Sequence, residues 1–374
     1  MQQRISFRRR EVVAALLLGG AYLFYVAYIP LTPSKSLPIL QSLLERKISI
    51  FLLPFMLPLM YKLSSKSPLG ELHWFVAGNC IHGIIVNCMI LFQLSHWNQA
   101  LSSHVAYRLL FEKITDIHPT YYGMFICFSL AILLFDKFAA TARNWYRVGA
   151  QIVLFLFLLL LTPKISLLIV FILYVYFFSS RFTHWVQTPW ILLTASVVLV
   201  VSYIAFPYFH DRIAEVFTYF SKSNTNAVEN SVHFRKLIYQ IDLQILNDSW
   251  LFGIGPAKLQ EYLDAVYYNV SVLSGQMITS YNTHNEYLNQ WICFGLAGFL
   301  FFISIFIFHI KKAILQKNVL YYAFLLIVMV SCLTENILSR QSGIIFYAFF
   351  GALLYFNVAI HKVAEKSIRN SKVR

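Results

Sequence analysis

The stretch SYNTHNEYLNQW, residues 280–291, sets a histidine among amides and a carboxylate immediately before the apolar run ICFGLAGFLFFISIFIF. An imidazole is the side chain best suited to accept a proton near neutral pH. Thr283-His284-Asn285-Glu286 has the T-x-x-E form of a capping box, so Thr283 is expected to bind the N–H of Glu286, Glu286 to reach back, and His284 to be the first helical residue. At that position unpaired N–H groups and the positive end of the helix dipole favour a nearby anion and a neutral ring. Asn285 belongs to the same supporting turn. An interfacial histidine that only wets a helix end fits the same residues.

A second candidate segment is SVHFRKLIYQIDLQILNDSW. Phe234, Ile238, Ile241, Ile245 and Leu246 recur at helical spacing, while Arg235, Tyr239 and Asp242 share another face. Gly253 and Gly255 in LFGIGPAKLQEYL are expected to end this amphipathic helix, and Pro256 suits the first turn of the next. Alone, the pattern describes a cap packed on a bundle.

The elements that must position these residues follow from composition. Of 374 residues, 59% are hydrophobic and 12% charged, against about 25% charged in soluble domains. Apolar stretches long enough for a hydrocarbon core, roughly 20 residues as helix, occur near 11–30, 46–62, 71–94, 118–136, 147–162, 164–180, 189–207, 285–310, 318–336 and 341–360. The fold class expected is all-α, a polytopic membrane protein of about ten transmembrane helices, with 1–374 as one integral membrane domain. FRRR precedes the first span, but no convincing small-residue cleavage site follows, so that span is read as a retained helix. The five cysteines fall inside spans and imply neither a disulfide framework nor a metal site.

Orientation follows from Lys and Arg. With a cytoplasmic N-terminus, more than half of the 30 basic residues fall in inside segments, among them Arg8, Arg9, Arg10, Lys311, Lys312, Lys317 and the C-terminal tail. The net charge of +14 then sits on the cytoplasmic rim facing membrane lipids, and no nucleic-acid partner is needed to explain it. The dominant outer segment is 210–283, a large loop with slightly more acids than bases. His284 stands where that loop re-enters the membrane.

HFRKL, an amphipathic helix, LFGIGPAKL, then THNEYL running into WICFGLAGF, in that order, resembles the bacterial O-antigen ligase and O-antigen polymerase family of polytopic glycosyltransferases. The likeness covers about 160–300, with weaker support from HPTYYGMF and LTENILSRQSG. The resemblance implies a GT-C-like helical fold in the bacterial inner membrane with a periplasmic active site. It implies a donor glycan on an undecaprenyl-pyrophosphate carrier and a sugar hydroxyl as acceptor, on the lipid A core for a ligase or on another carrier-linked repeat for a polymerase. The ligase reading is preferred on loop order.

The carrier is already a good leaving group, so the protein must supply cations for the pyrophosphate and a base for the acceptor proton. By resemblance, His284 matches the base and Arg235 the pyrophosphate-binding loop arginine. A second family arginine, in a Ser-Arg-Gly-like setting, is replaced by Lys164 in LLLTPKISLL, a point charge without the bidentate fork. A lysine snorkelling at a hairpin fits that position equally. Arg340, after Thr-Glu-Asn, is a further candidate that Glu335 and Asn336 would position. No cofactor or metal is expected. A lipid or solute transporter would instead place ionisable residues at the membrane midplane. His73, Asn79, His82 and Asn87 are the main polar residues of that kind here, and they either line a groove or bond between helices.

Overall fold

The computed structural model describes residues 9–64, 69–96, 104–135, 144–181, 231–274 and 282–371. Among the described residues 88% are helical and none lies in a strand, and they form twelve helices. They are α1 (Arg9–Ala27), α2 (Leu37–Ser64), α3 (Leu69–His96), α4 (His104–Thr115), α5 (Pro119–Phe135), α6 (Asn144–Leu161), α7 (Lys164–Arg181), α8 (Ser231–Ser249), α9 (Leu259–Ser274), α10 (Glu286–Leu315), α11 (Val319–Ser331) and α12 (Gln341–Ser371). The protein is an all-α polytopic membrane protein. Nine of the ten expected spans fall on helices, and the one near 189–207 lies outside the described residues. By length and composition alone three described helices can cross a membrane, Glu11–Leu31, Glu71–Gln93 and Glu286–Leu315. Tyr107–Thr115 and Pro119–Phe135 form a further pair bent by 81°. Several others, such as Val319–Ser331, are apolar but shorter.

The helices gather into two compact units, Leu69–Phe234 and a second made of Met1–Pro68 with Arg235–Arg374. In the first, α5 packs on α3, α6 and α7, and α4 rests on α3 and α6. The polar residues of α3 are used between helices. Asn79 Nδ2 donates to Ser129 Oγ at 3.1 Å, His82 Nδ1 lies 2.8 Å from Tyr122 Oη, and Tyr107 Oη donates to Asn87 Oδ1 at 2.7 Å. That is the interhelical use open to polar groups in lipid. Between α6 and α7 the chain reverses at Thr162 (φ +47°) and Pro163, and Lys164 opens α7.

In the other unit α2 packs against α1 and α12, α10 against α1 and α11, and α11 against α12. The amphipathic face of α8 is buried as its spacing requires. Ile238, Ile241, Ile245 and Leu246 form one cluster with Leu263 and Tyr267 of α9 and Ile292 of α10.

The two glycine motifs interlock. Gly295 has φ +67° and breaks α10, which frees carbonyls that a continuous helix would occupy. Ile292 O and Cys293 O accept from Ile254 N at 2.8 Å and Gly255 N at 3.0 Å, while Leu296 N donates to Leu251 O at 3.2 Å. A Cβ on Gly295 would lie 2.2 Å from Leu251 O, so only glycine allows the loop to dock. Tyr28 Oη, just past the end of α1, donates to Phe252 O at 2.7 Å and pins the loop from another side. The glycines of LFGIG thus follow α8, which closes at Ser249, and serve mainly to seat this loop. Pro256 lies in a turn, and α9 starts later than expected, at Leu259.

Candidate active site

The expected capping box at 283–286 is not formed. The N-cap of α10 is Asn285, whose Oδ1 accepts from Tyr287 N at 2.9 Å and Leu288 N at 3.1 Å, so the helix begins at Glu286. His284 therefore precedes the cap. It has φ +43°, and its N–H donates to Asn282 Oδ1 at 2.9 Å. The reason is tertiary: the residues of the expected box bind the connection between α11 and α12 instead. Thr283 Oγ1 lies 3.0 Å from Asn336 Oδ1, and Glu286 N donates to Cys332 O at 2.9 Å. The Glu286 carboxylate is fully buried and accepts from Leu338 N at 2.8 Å and Gln290 Nε2 at 2.7 Å. Leu338 O accepts from Nζ of Lys47, a buried lysine of α2 whose ammonium stands 4.8 Å from the Tyr25 ring centroid.

Held in this way, the α11–α12 connection carries Glu335 into contact with both candidate residues from the sequence. Glu335 Oε1 lies 3.1 Å from Arg235 Nη2 and Oε2 lies 3.3 Å from His284 Nδ1. One turn beyond Arg235, Tyr239 Oη donates to Leu333 O at 3.0 Å and lies 3.3 Å from His284 O. Asn285 Nδ2 also donates to Leu333 O, at 3.3 Å. Three segments distant in sequence are thereby fixed on one carboxylate.

The chemistry of this junction follows from donor and acceptor types. A carboxylate can only accept, so Nδ1 of the neutral imidazole carries its proton toward Glu335 and Nε2 keeps a lone pair. The side chains of Arg235 and His284 are 34% and 22% exposed, whereas that of Glu335 is 5% exposed. Arg235 has five N–H donors, so contact with Glu335 leaves others for an anion. A buried carboxylate thus holds a partly exposed imidazole and a partly exposed guanidinium side by side.

Of the residues singled out from sequence, Arg235, His284, Thr283, Asn285 and Glu286 meet at this junction. Arg340 ends the 3-10 turn Ile337–Ser339 on the same connection and is exposed. Lys164 belongs to the other unit. Two contributors were not assigned these parts: Glu335, read from sequence as a partner of Arg340, and Tyr239. The available sign for Glu335 was an acid at the end of an apolar span, a costly placement without a partner. Asp242, on the same helix as Arg235, is fully buried with neither carboxylate oxygen hydrogen-bonded, and burial pushes its pKa up to about 8. Burial also raises the Tyr239 phenol. Among the described residues no three His, Cys, Asp or Glu side chains gather as a metal site would require.

The fold and this junction define a polytopic membrane protein with an imidazole and a guanidinium held together at the start of a spanning helix. Residues 148–303 match the family model described as O-antigen ligase. The matched segment runs from α6 into α10 and includes Lys164, Arg235 and His284; Glu335 and Arg340 lie beyond it. No curated protein matches the chain.

Proposed function

We propose that the protein is an O-antigen ligase of the bacterial inner membrane, with 210–283 and the His284 junction on the periplasmic face. It moves a glycan from an undecaprenyl-pyrophosphate carrier to a sugar hydroxyl of the lipid A core. The observation that carries this reading is Glu335 bridging Arg235 and His284. Nε2 of His284 takes the proton of the acceptor hydroxyl, whose oxygen attacks the anomeric carbon as the bond to the carrier pyrophosphate breaks. Charge builds on the departing pyrophosphate, where Arg235 meets it, and on the imidazole, where Glu335 meets it. Lys164 and Arg340 keep the supporting cationic roles that the resemblance gives them. At the first residue of α7, Lys164 adds its charge to a helix end that already favours anions.

The test is transfer by purified protein from a carrier-linked polymer to lipid A core. Arg235→Ala should abolish transfer, Lys164→Arg should keep much of it, and Lys164→Ala little. Full transfer by Lys164→Ala would return that lysine to a snorkelling role, and transfer that stops on adding a chelator would overturn a metal-free mechanism. Polymer built on the carrier but never delivered to the core would favour the polymerase reading. Labelling of cysteines placed at Lys258 and Lys312 tests the orientation, which fails if both positions lie on one side.

A further inference from the structure

A cavity of about 570 Å³ lies at the far end of α10 from His284. Arg9, Lys311 and Lys312 line it together with the apolar side chains of Phe308, Leu315 and Tyr355. Glu286–Leu315 is long and apolar enough to cross a membrane, with the His284 junction at its start and Lys311 and Lys312 in its last turns. The cavity therefore belongs to the membrane surface opposite the His284 junction. Among the described residues no ion pair engages its three cations. Directly beside them the helix presents apolar surface, with Leu315 80% and Ile307 50% exposed.

Cations gathered at a rim, above an apolar wall that continues along an exposed helix face, fit a phosphate joined to hydrocarbon better than they fit a free ion. A free phosphate would use the cations and gain nothing from the wall, and a neutral lipid would use the wall and leave three charges unmatched. We propose that this cavity binds the headgroup phosphate of an anionic phospholipid, with Leu315 at its outer edge and the acyl chains running back along Ile307 into the membrane. This assignment is independent of the reaction proposed for His284.

The experiment uses the full-length protein in detergent with three probes: dioleoyl phosphatidylglycerol, dioleoyl phosphatidylcholine and inorganic phosphate. Retention is read by native mass spectrometry and by the rise in melting temperature on titration. The expected result is saturable retention of phosphatidylglycerol that millimolar phosphate does not displace and that phosphatidylcholine does not reproduce. Arg9→Gln with Lys311→Gln and Lys312→Gln should weaken it on the order of 100-fold, at about one tenfold step or less per charge. Arg9→Lys with Lys311→Arg and Lys312→Arg should preserve it. Should the triple glutamine variant fail to fold, Lys311→Gln alone should weaken retention about 5-fold. Equal retention of phosphatidylcholine, or no loss in the glutamine variants, overturns the site. Displacement by inorganic phosphate makes it a site for the free ion and overturns the lipid assignment.

Discussion

Glu286 and Glu335 flank the same junction, and their surroundings assign them opposite work. Glu286 is fully buried, and its oxygens accept from a backbone N–H and a side-chain amide, Leu338 N and Gln290 Nε2. Glu335 is nearly as buried, but each of its oxygens faces a side chain that reaches solvent, Arg235 on one and His284 on the other. Both are carboxylates at the boundary of a spanning helix. One fixes the α11–α12 connection; the other transmits that fixity to a base and a cation. Burial alone does not separate architecture from chemistry, and the exposure of the partners does.

This contrast makes an ordered set of predictions. The largest effect belongs to His284→Ala, which should lower transfer on the order of 10²–10⁴-fold with the melting temperature held, because the cap of α10 is Asn285. Added imidazole should restore part of the rate. Near-normal transfer would reduce His284 to an interfacial residue. Glu335→Gln should follow, at about 10–100-fold, the usual cost of losing the partner that orients a functional histidine. If instead it unfolded the protein without lowering the rate per folded molecule, Glu335 would join Glu286 as architecture.

Glu286→Gln should show the reverse pattern. Leu338 N and Gln290 Nε2 would compete for one carbonyl oxygen, at a cost of about 1–3 kcal/mol for a buried donor left unmet. Thermal unfolding should report that loss while the rate per folded molecule stays within about threefold, since RT is ≈ 0.59 kcal/mol and a small displacement of His284 costs little more than that. A rate loss as deep as that of Glu335→Gln would erase the distinction between the two glutamates.

The last effect is on stability and not on rate, and concerns Asp242, whose carboxylate oxygens accept no hydrogen bond among the described residues. Its folded pKa is raised to about 8, above the unfolded value, so the native state binds the extra proton between the two. The associated stability is present in full below the unfolded value and is lost as pH rises through the folded one. The wild-type melting temperature should therefore decline from pH 5 to pH 8 more than that of Asp242→Asn. Parallel curves would show that Asp242 ionises at no cost in its pocket.

Much of the architecture was legible because lipid leaves the chain few options. Backbone groups in hydrocarbon must bond within a helix, so apolar length located nine of the helices, and the 3.6-residue period gave the buried face of α8. His284 and Arg235 were legible as residue types in an ordered series of motifs. The cap was misread because T-x-x-E is a local rule, and here Asn285 competes successfully for the N-terminal donors while Thr283 and Glu286 bond to Asn336, Cys332 and Leu338. The seating of 251–255 in the break at Gly295, and the arrival of Glu335 between residues 100 and 51 positions away, depend on contacts that no local pattern encodes. Sequence by itself determined the solvent, the helices and the chemical groups available. Tertiary structure alone decided which carboxylate meets the base, because that choice rests on hydrogen bonds between segments that only the folded chain brings together.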